Sequence, residues 1–167
     1  MYDELTEVDI QKMKEELADR IQVQRPQLIE EVQTARAFGD LSENYEYKCA
    51  KQAKNRNERR IRYLEAMIRT AKIIQVEEHG DTVGLFDRVT VFNEVVNMEM
   101  ELRIVTTLRQ DALKGLISKE SPVGQALMGH RVGDKVLVEV PPDAQYYLEI
   151  RAIENGEDDP TLEIGSY

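Results

Sequence analysis

The chain has 167 residues, 41% hydrophobic and 32% charged, with 22 Lys+Arg set against 32 Asp+Glu for a net charge of −10. That length suits one sizeable domain or two small ones, and the balance is ordinary for a globular chain with an exposed helical part. It excludes a membrane-spanning chain, which needs apolar runs of about 20 residues, and a protein that coats nucleic acid along its whole surface.

Cys49 is the only cysteine, so no intrachain disulfide forms and a reducing cytoplasm fits. Residues 1–8 read as a lead-in, acidic and polar after Met1 and so unlike a signal peptide. Thr6 is placed to cap a first helix, with Asp9 in its first turn. That helix is predicted from about Glu7 to Phe38, on apolar residues at Ile10, Met13, Leu17, Ile21, Leu28, Val32 and Ala35. Pro26 lies inside it and removes a backbone donor, which predicts a bend or a local break there. Gly39 supplies the stop. A second helix is predicted from about Glu43 to Ala71, without Gly or Pro. At 1.5 Å per residue it is roughly 40 Å long, too long to fold back into a small domain.

The two stripes mirror each other. Folded back at about residue 41, the chain sets Ile21 against Ile61, Leu17 against Leu64, Met13 against Ile68, Val32 against Ala50 and Ala35 against Tyr47. Two such helices form an antiparallel coiled coil. Its seam has a polar gap, where Gln24 and Arg25 face Lys54 and Asn57. Cys49 reads as a small packing residue near the tip.

From Lys72 the apolar period drops to two. Strands are predicted at Ile73–Glu77, Arg88–Phe92, Glu101–Thr107, Lys135–Val140 and Tyr146–Ile153, with turns at Glu78–Asp81 and Arg131–Asp134. Ser121-Pro122 opens one short helix over Val123–Gly129. The fold class is therefore α + β in two domains, an antiparallel helical hairpin over 1–75 and a small sheet domain over 76–153. Residues 154–167 read as a mobile acidic tail.

Charge divides with the domains. Residues 1–76 hold 14 basic and 14 acidic side chains, and residues 77–167 hold 8 and 18. Within the second helix, residues 48–72 hold nine basic side chains and two acidic ones. Lys48, Lys51, Asn55, Arg59 and Arg62 share one helix face, and Arg36 joins them from the first helix. One basic face can meet a few phosphates; the alternative is a solvated face neutralised by Glu30 and Glu31, opposite Lys51 and Lys54.

These motifs carry a resemblance. Gly39-Asp40-Leu41-Ser42-Glu43-Asn44 with Glu46-Tyr47, Arg25-Pro26, Ala50-Lys51, Arg60-Ile61 and Leu64-Glu65 resemble a bacterial transcript-cleavage factor of the Gre type, in its GreA-like branch. Ser121-Pro122-Val123-Gly124-Gln125-Ala126-Leu127-Met128-Gly129 and Val132-Gly133-Asp134 extend the match through the second half. The resemblance implies a coiled-coil finger, an FKBP-like C-terminal domain and a cytoplasmic transcription elongation factor, expected as a monomer. It implies RNA polymerase and the nascent RNA 3′ end as partners, with the finger in the secondary channel and the globular part docked outside. Arg36 and Lys51 are then RNA-contacting, with Lys48 and Arg59 beside them, and Glu120, Ser121 and Pro122 are polymerase-docking.

Asp40 and Glu43 are the candidate catalytic and metal-ligating residues. Two-metal hydrolysis of a phosphodiester needs a second Mg²⁺ and an activated water. Two carboxylates at a turn make no cage by themselves, so the expected Mg²⁺ is shared with the polymerase and not bound by the free protein. The chain then stimulates another enzyme's active site and is not a free-standing nuclease. Ser42 is a supporting hydrogen-bond partner in this reading, and Glu46 a third carboxylate nearby. The alternative role for Asp40 or Ser42 is to cap the second helix. Tyr45 and Tyr47 are placed to stack on a base, or in the case of Tyr47 to pack in the seam. Two other functions compete: a Gre-like channel-binding inhibitor that does not stimulate cleavage, and a prolyl isomerase or chaperone. Residues 77–167 offer only Phe86, Phe92, Tyr146, Tyr147 and Tyr167 and no Trp, few aromatics for an isomerase pocket. His79 and His130 lie far apart without Cys neighbours and do not resemble metal ligands.

Overall fold

Thr6 opens helix α1 (Glu7–Asp19) as the spacing predicts, in a computed structural model that describes residues 3–39 and 44–165. Its backbone N–H and hydroxyl both donate to Asp9 Oδ2, at 3.1 and 3.3 Å, and Asp9 N–H returns a bond to Thr6 Oγ1 at 3.4 Å. This reciprocal box satisfies donors that a helix start leaves free.

The break lies upstream of Pro26. Residues Arg20–Gln24 form a π-helical turn, after which α2 runs Arg25–Arg36 with Pro26 in its first turn. Proline has no N–H for the carbonyl four residues back, and its ring crowds that carbonyl. Widening the preceding turn relieves both, and Arg25 N–H accordingly reaches Arg20 O, five residues back. Helix α3 spans Tyr45–Thr70. Ion pairs and hydrogen bonds run Glu16–Arg60, Arg20–Asn57, Arg25–Glu58 and Arg36–Tyr47 across the pair, so the helices are antiparallel. Ile10, Met13, Val32, Ala35, Ile61 and Leu64 are buried, along the predicted stripes.

The polar gap is filled differently from the prediction. Arg25 pairs with Glu58 at 2.7 Å instead of facing Lys54 or Asn57, and Gln24 donates to Asp19. Asn57 accepts from Arg20 at 2.9 Å, and the nearly buried Arg60 holds Glu16 through two bonds. Long side chains reach along the helix axis, so they choose partners a turn away from the residue directly opposite.

Packing divides the chain into two units, Ile10–Ala71 and Asp3–Asp9 with Lys72 onward. In the second unit, β1 (Glu4–Leu5) pairs in parallel with β2 (Lys72–Ile73), where a longer strand Ile73–Glu77 was expected. Strands β3 (Arg88–Asn93), β4 (Met98–Val105), β5 (Leu116–Ser118), β6 (Lys135–Val140) and β7 (Ala144–Glu154) form one sheet in the order β5-β4-β3-β7-β6. Neighbours are antiparallel except β4 and β5. One face buries Val89, Val91, Ile104, Val138, Leu148 and Ile150, joined by Leu127 from α4 (Pro122–Leu127). Each such side chain contributes about 1.5–3 kcal/mol by leaving water.

The acidic C-terminal stretch is pinned where a mobile tail was expected. Asp158 pairs with Arg109 at 2.6 Å and Asp159 with Arg103 at 3.5 Å. Gly156 N–H donates to Asp87 at 3.0 Å, and Gly165 N–H to Leu108 O at 2.7 Å. The acids that looked solvated in sequence are counter-ions for arginines some fifty residues earlier in the chain. At Gly156 a Cβ would sit 2.0 Å from Phe86 O, so only glycine permits this approach.

Asp87 is fully buried and accepts from Gly84 N–H, Gly156 N–H and His79 Nε2, the last at 2.5 Å. His79 Nδ1 lies 2.8 Å from Glu77 O. Both ring nitrogens thus face acceptors, which suits the doubly protonated imidazolium. The Asp87 hydrogen bond, then the Glu77 carbonyl, raise its pKa above the ordinary imidazole value. A raised folded-state pKa gives stability that is complete below the unfolded value of about 6.5 and is lost as pH rises through the folded value. Thermal melts from slightly acidic to alkaline pH are therefore expected to show the parent losing an advantage over His79→Gln as pH rises. Parallel pH profiles for the two would contradict this assignment.

Candidate functional site

The described residues frame the tip from both sides. Asp40, Leu41, Ser42 and Glu43 lie outside the described residues, in the connection between α2 and α3. Asn44 is the N-cap of α3: its Oδ1 accepts from Tyr47 N–H at 3.0 Å, and its Nδ2 donates to Ala35 O at 2.6 Å. One side chain thereby caps the second helix and ties it to the end of the first. The capping role considered for Asp40 and Ser42 is filled by Asn44. Glu46 is exposed in the first turn of α3, where a carboxylate suits the helix dipole.

Arg36, at the end of α2, is brought to Tyr47. Its Nη2 donates to the phenol oxygen at 3.4 Å and its guanidinium sits 5.6 Å from the ring centroid. That hydrogen bond holds the Tyr47 phenol below its ordinary pKa. Tyr47 is half-buried, whereas Tyr45 is 77% exposed and free to offer its face. Cys49 is exposed, contrary to the packing role expected of it. It lies one turn beyond Tyr45.

Lys48, Lys51, Asn55, Arg59 and Arg62 are all exposed along α3, as the spacing predicts. Among the described residues no ion pair joins Glu30 or Glu31 to Lys51 or Lys54. Instead Glu30, Glu31, Phe38 and Glu46 line a separate surface groove. The two sides of the hairpin thus carry opposite charge near the tip.

In the second unit Ser121 caps α4, accepting from Gly124 N–H at 3.1 Å and donating to Ser118 O at 2.6 Å. Pro122 takes the first helical position, where its missing N–H costs nothing. A Cβ at Gly124 would lie 2.1 Å from Ser118 O, so glycine is what lets the helix sit on this loop. Glu120 and Pro122 are exposed and Ser121 half-buried.

Sequence reading missed the buried network around Arg109. Nothing local marked it, since Arg109 stands in the polar stretch Thr106-Thr107-Leu108-Arg109-Gln110-Asp111, and its partners are about 50 and 100 residues away. Among the described residues no group of three or more His, Cys, Asp or Glu is placed to hold a metal ion, and no helix is long and apolar enough to cross a membrane.

Comparison with known proteins identifies the family. Residues 4–73 match the family described as transcription elongation factor, N-terminal, and residues 70–155 match transcription elongation factor, GreA/GreB, C-term. A transcription elongation factor GreA of Caldanaerobacter subterraneus subsp. tengcongensis is 44% identical over 138 residues, 82% of this chain and 88% of that protein. The corresponding factor of a Chelativorans species is 41% identical over 148 residues, 88% of this chain and 94% of that protein. A solved structure, the GreA factor homolog 1 of Thermus thermophilus, is 25% identical, covering 93% of this chain and all of that one (100%) at a TM-score of 0.43. With both halves matched end to end and relatives above 40% identity, the chain belongs to the GreA/GreB family of transcription elongation factors.

Proposed function

We propose that this chain is a transcript-cleavage factor: it binds RNA polymerase, presents its hairpin tip to the active site through the secondary channel, and stimulates hydrolysis of backtracked RNA. The observation that supports this most is the position of the acidic pair. Asp40 and Glu43 occupy the connection between two antiparallel helices, and Asn44 already caps the helix that follows.

Two carboxylates are a suitable partial ligand set for Mg²⁺, which keeps several waters and takes few acidic side chains. When bound between Asp40, Glu43 and the polymerase, that ion would supply Lewis acidity and a more acidic water. Asp40 and Glu43 share two tasks, completing the metal's ligands and accepting a hydrogen bond from the attacking water. Ser42 supports them. Arg36, Lys48, Lys51 and Arg59 attract the phosphates of the RNA 3′ segment, and exposed Tyr45 offers a stacking face. Glu120, Ser121 and Pro122 dock on the polymerase from the globular unit. The hydrolytic centre belongs to the polymerase, so the chain alone is not a nuclease.

The test adds the protein to purified elongation complexes stalled in a backtracked state. Release of short 3′ RNA fragments is expected to accelerate, with no cleavage of the same RNA free in solution. A factor that binds and slows the complex without fragment release would support the inhibitor reading instead.

A further inference from the structure

We propose that the outward face of the five-stranded sheet, with the β3–β4 turn beside it, docks a basic protein surface. The claim rests on the functional reading above, in which that surface belongs to RNA polymerase. Alternation from the buried positions places Phe92, Leu137 and Tyr147 on the side of the sheet opposite the core. Leu137 and Tyr147 are directly paired across β6 and β7, and they are 37% and 52% exposed. At the same end of the sheet, Val95 and Val96 project from the β3–β4 turn at 75% and 54% exposure. An ion pair between Glu94 and Lys135 holds that turn against β6. Aromatic and aliphatic side chains gathered in the open are the make-up of an interface centre.

Charge decides the occupant. Glu99, Glu101, Glu139 and Glu149 share this face. Of the four cations on the face, Arg151 lies over Phe92 at 4.1 Å and pairs with Glu99, Lys135 is held by Glu94 and Arg103 pairs with Asp159, while exposed Arg88 stands at the far end from the β3–β4 turn. Residues 77–167 carry 18 acidic against 8 basic side chains. A second copy would press like charge on like charge, so self-association is opposed. A partner with Lys and Arg around an apolar centre matches both rim and middle. The surface is also distinct from the Ser121–Pro122 loop, because α4 packs through Leu127 on the buried side of the sheet.

The test measures affinity for purified core RNA polymerase with the full chain and with Val95→Asp, Tyr147→Asp and the pair Glu101→Lys/Glu149→Lys. A benzoylphenylalanine at Val96 provides photo-crosslinking. Each apolar variant is expected to weaken binding by about tenfold or more with an unchanged melting temperature, the size expected for a central interface residue. The charge pair should flatten the salt dependence, and the Val96 probe should crosslink to a polymerase subunit. Parent-like affinity in the folded variants overturns the proposal. Should a variant unfold, the Val96 crosslink decides, and its absence counts against the proposal. A parent dimer that Val95→Asp dissociates would make the occupant a second copy and overturn it as well. If the parent itself does not bind polymerase, the functional reading fails first and this surface claim falls with it.

Discussion

Asp40→Asn with Glu43→Gln is expected to remove stimulated cleavage while the factor still binds polymerase. The amides keep the shape and hydrogen-bonding reach of the acids and lose the charge, so they hold a divalent cation and an attacking water far less well. Groups that position and deprotonate a nucleophile are typically worth about 10²–10⁴ in rate. Cleavage in the backtracked complex should therefore fall by roughly that factor, toward the polymerase's own unassisted rate. Binding should survive, because the two positions lie outside the stretch from Lys72 onward that carries the docking residues, and Asn44 is the N-cap of α3. Single-turnover cleavage at saturating factor is the measurement, with competition against the parent to show that the channel is still occupied. The two single variants should each lose most of the effect, since one ion addressed by two ligands is not served half as well by one. A double variant that cleaves at the parent's rate would reject the assignment of these acids.

The finger was legible because its information is local. Threes and fours of apolar residues on both sides of Gly39 foretold the antiparallel pair, and the buried set from Ile10 to Leu64 follows those stripes. What the pattern could not place was the effect of Pro26. A ring at one position acts on the carbonyl of the turn before it, so the irregularity appears as a π turn at Arg20–Gln24. The sheet was legible strand by strand, except where strands are too short to show a period. Glu4–Leu5, Lys72–Ile73 and Leu116–Ser118 are two or three residues each and exist by pairing with distant partners. The C-terminal acids illustrate the same limit. Asp158 and Asp159 looked like a solvated run because Arg103 and Arg109 stand far away in sequence. At the candidate site, residue types alone suit a helix cap as well as chemistry, and it was their place at the turn together with the resemblance that made Asp40 and Glu43 candidates. The N-cap of α3 was open in the sequence because Asp40, Ser42 and Asn44 are all good caps by type, and the bond from Tyr47 N–H is what identifies Asn44.

Arg109→Ala is expected to be the most damaging single change to the fold of the globular unit. The guanidinium is 1% exposed. Its Nε donates to Asp9 at 2.5 Å, Nη1 donates to the Asp159 carbonyl at 3.0 Å and sits 2.6 Å from the Asp158 carboxylate as an ion pair, and Nη2 reaches Thr6 Oγ1 at 3.3 Å. Phe86 covers one side, its ring centroid 5.0 Å away. Three chain segments meet on this one side chain: the first turn of α1, the loop after β4 and the C-terminal stretch. Truncation leaves Asp9 buried at 0% exposure with only the Thr6 donors, and opens a space where the guanidinium lay. Breaking a buried pair in this way costs about 3–5 kcal/mol, or roughly a 10 °C fall in melting temperature for a chain of this size. Arg109→Met combined with Asp9→Leu should recover much of that loss, because removing both charges leaves no uncompensated ion. Arg109→Ala should also expose the C-terminal stretch, so a glutamate-specific protease is expected to cut at Glu157 or Glu163 in the variant before the parent is touched. Urea unfolding followed by tyrosine fluorescence gives the first readout and limited proteolysis the second. A loss below about 1 kcal/mol, the scale of a surface ion pair, would mean that these three segments are held together by apolar packing and not by Arg109.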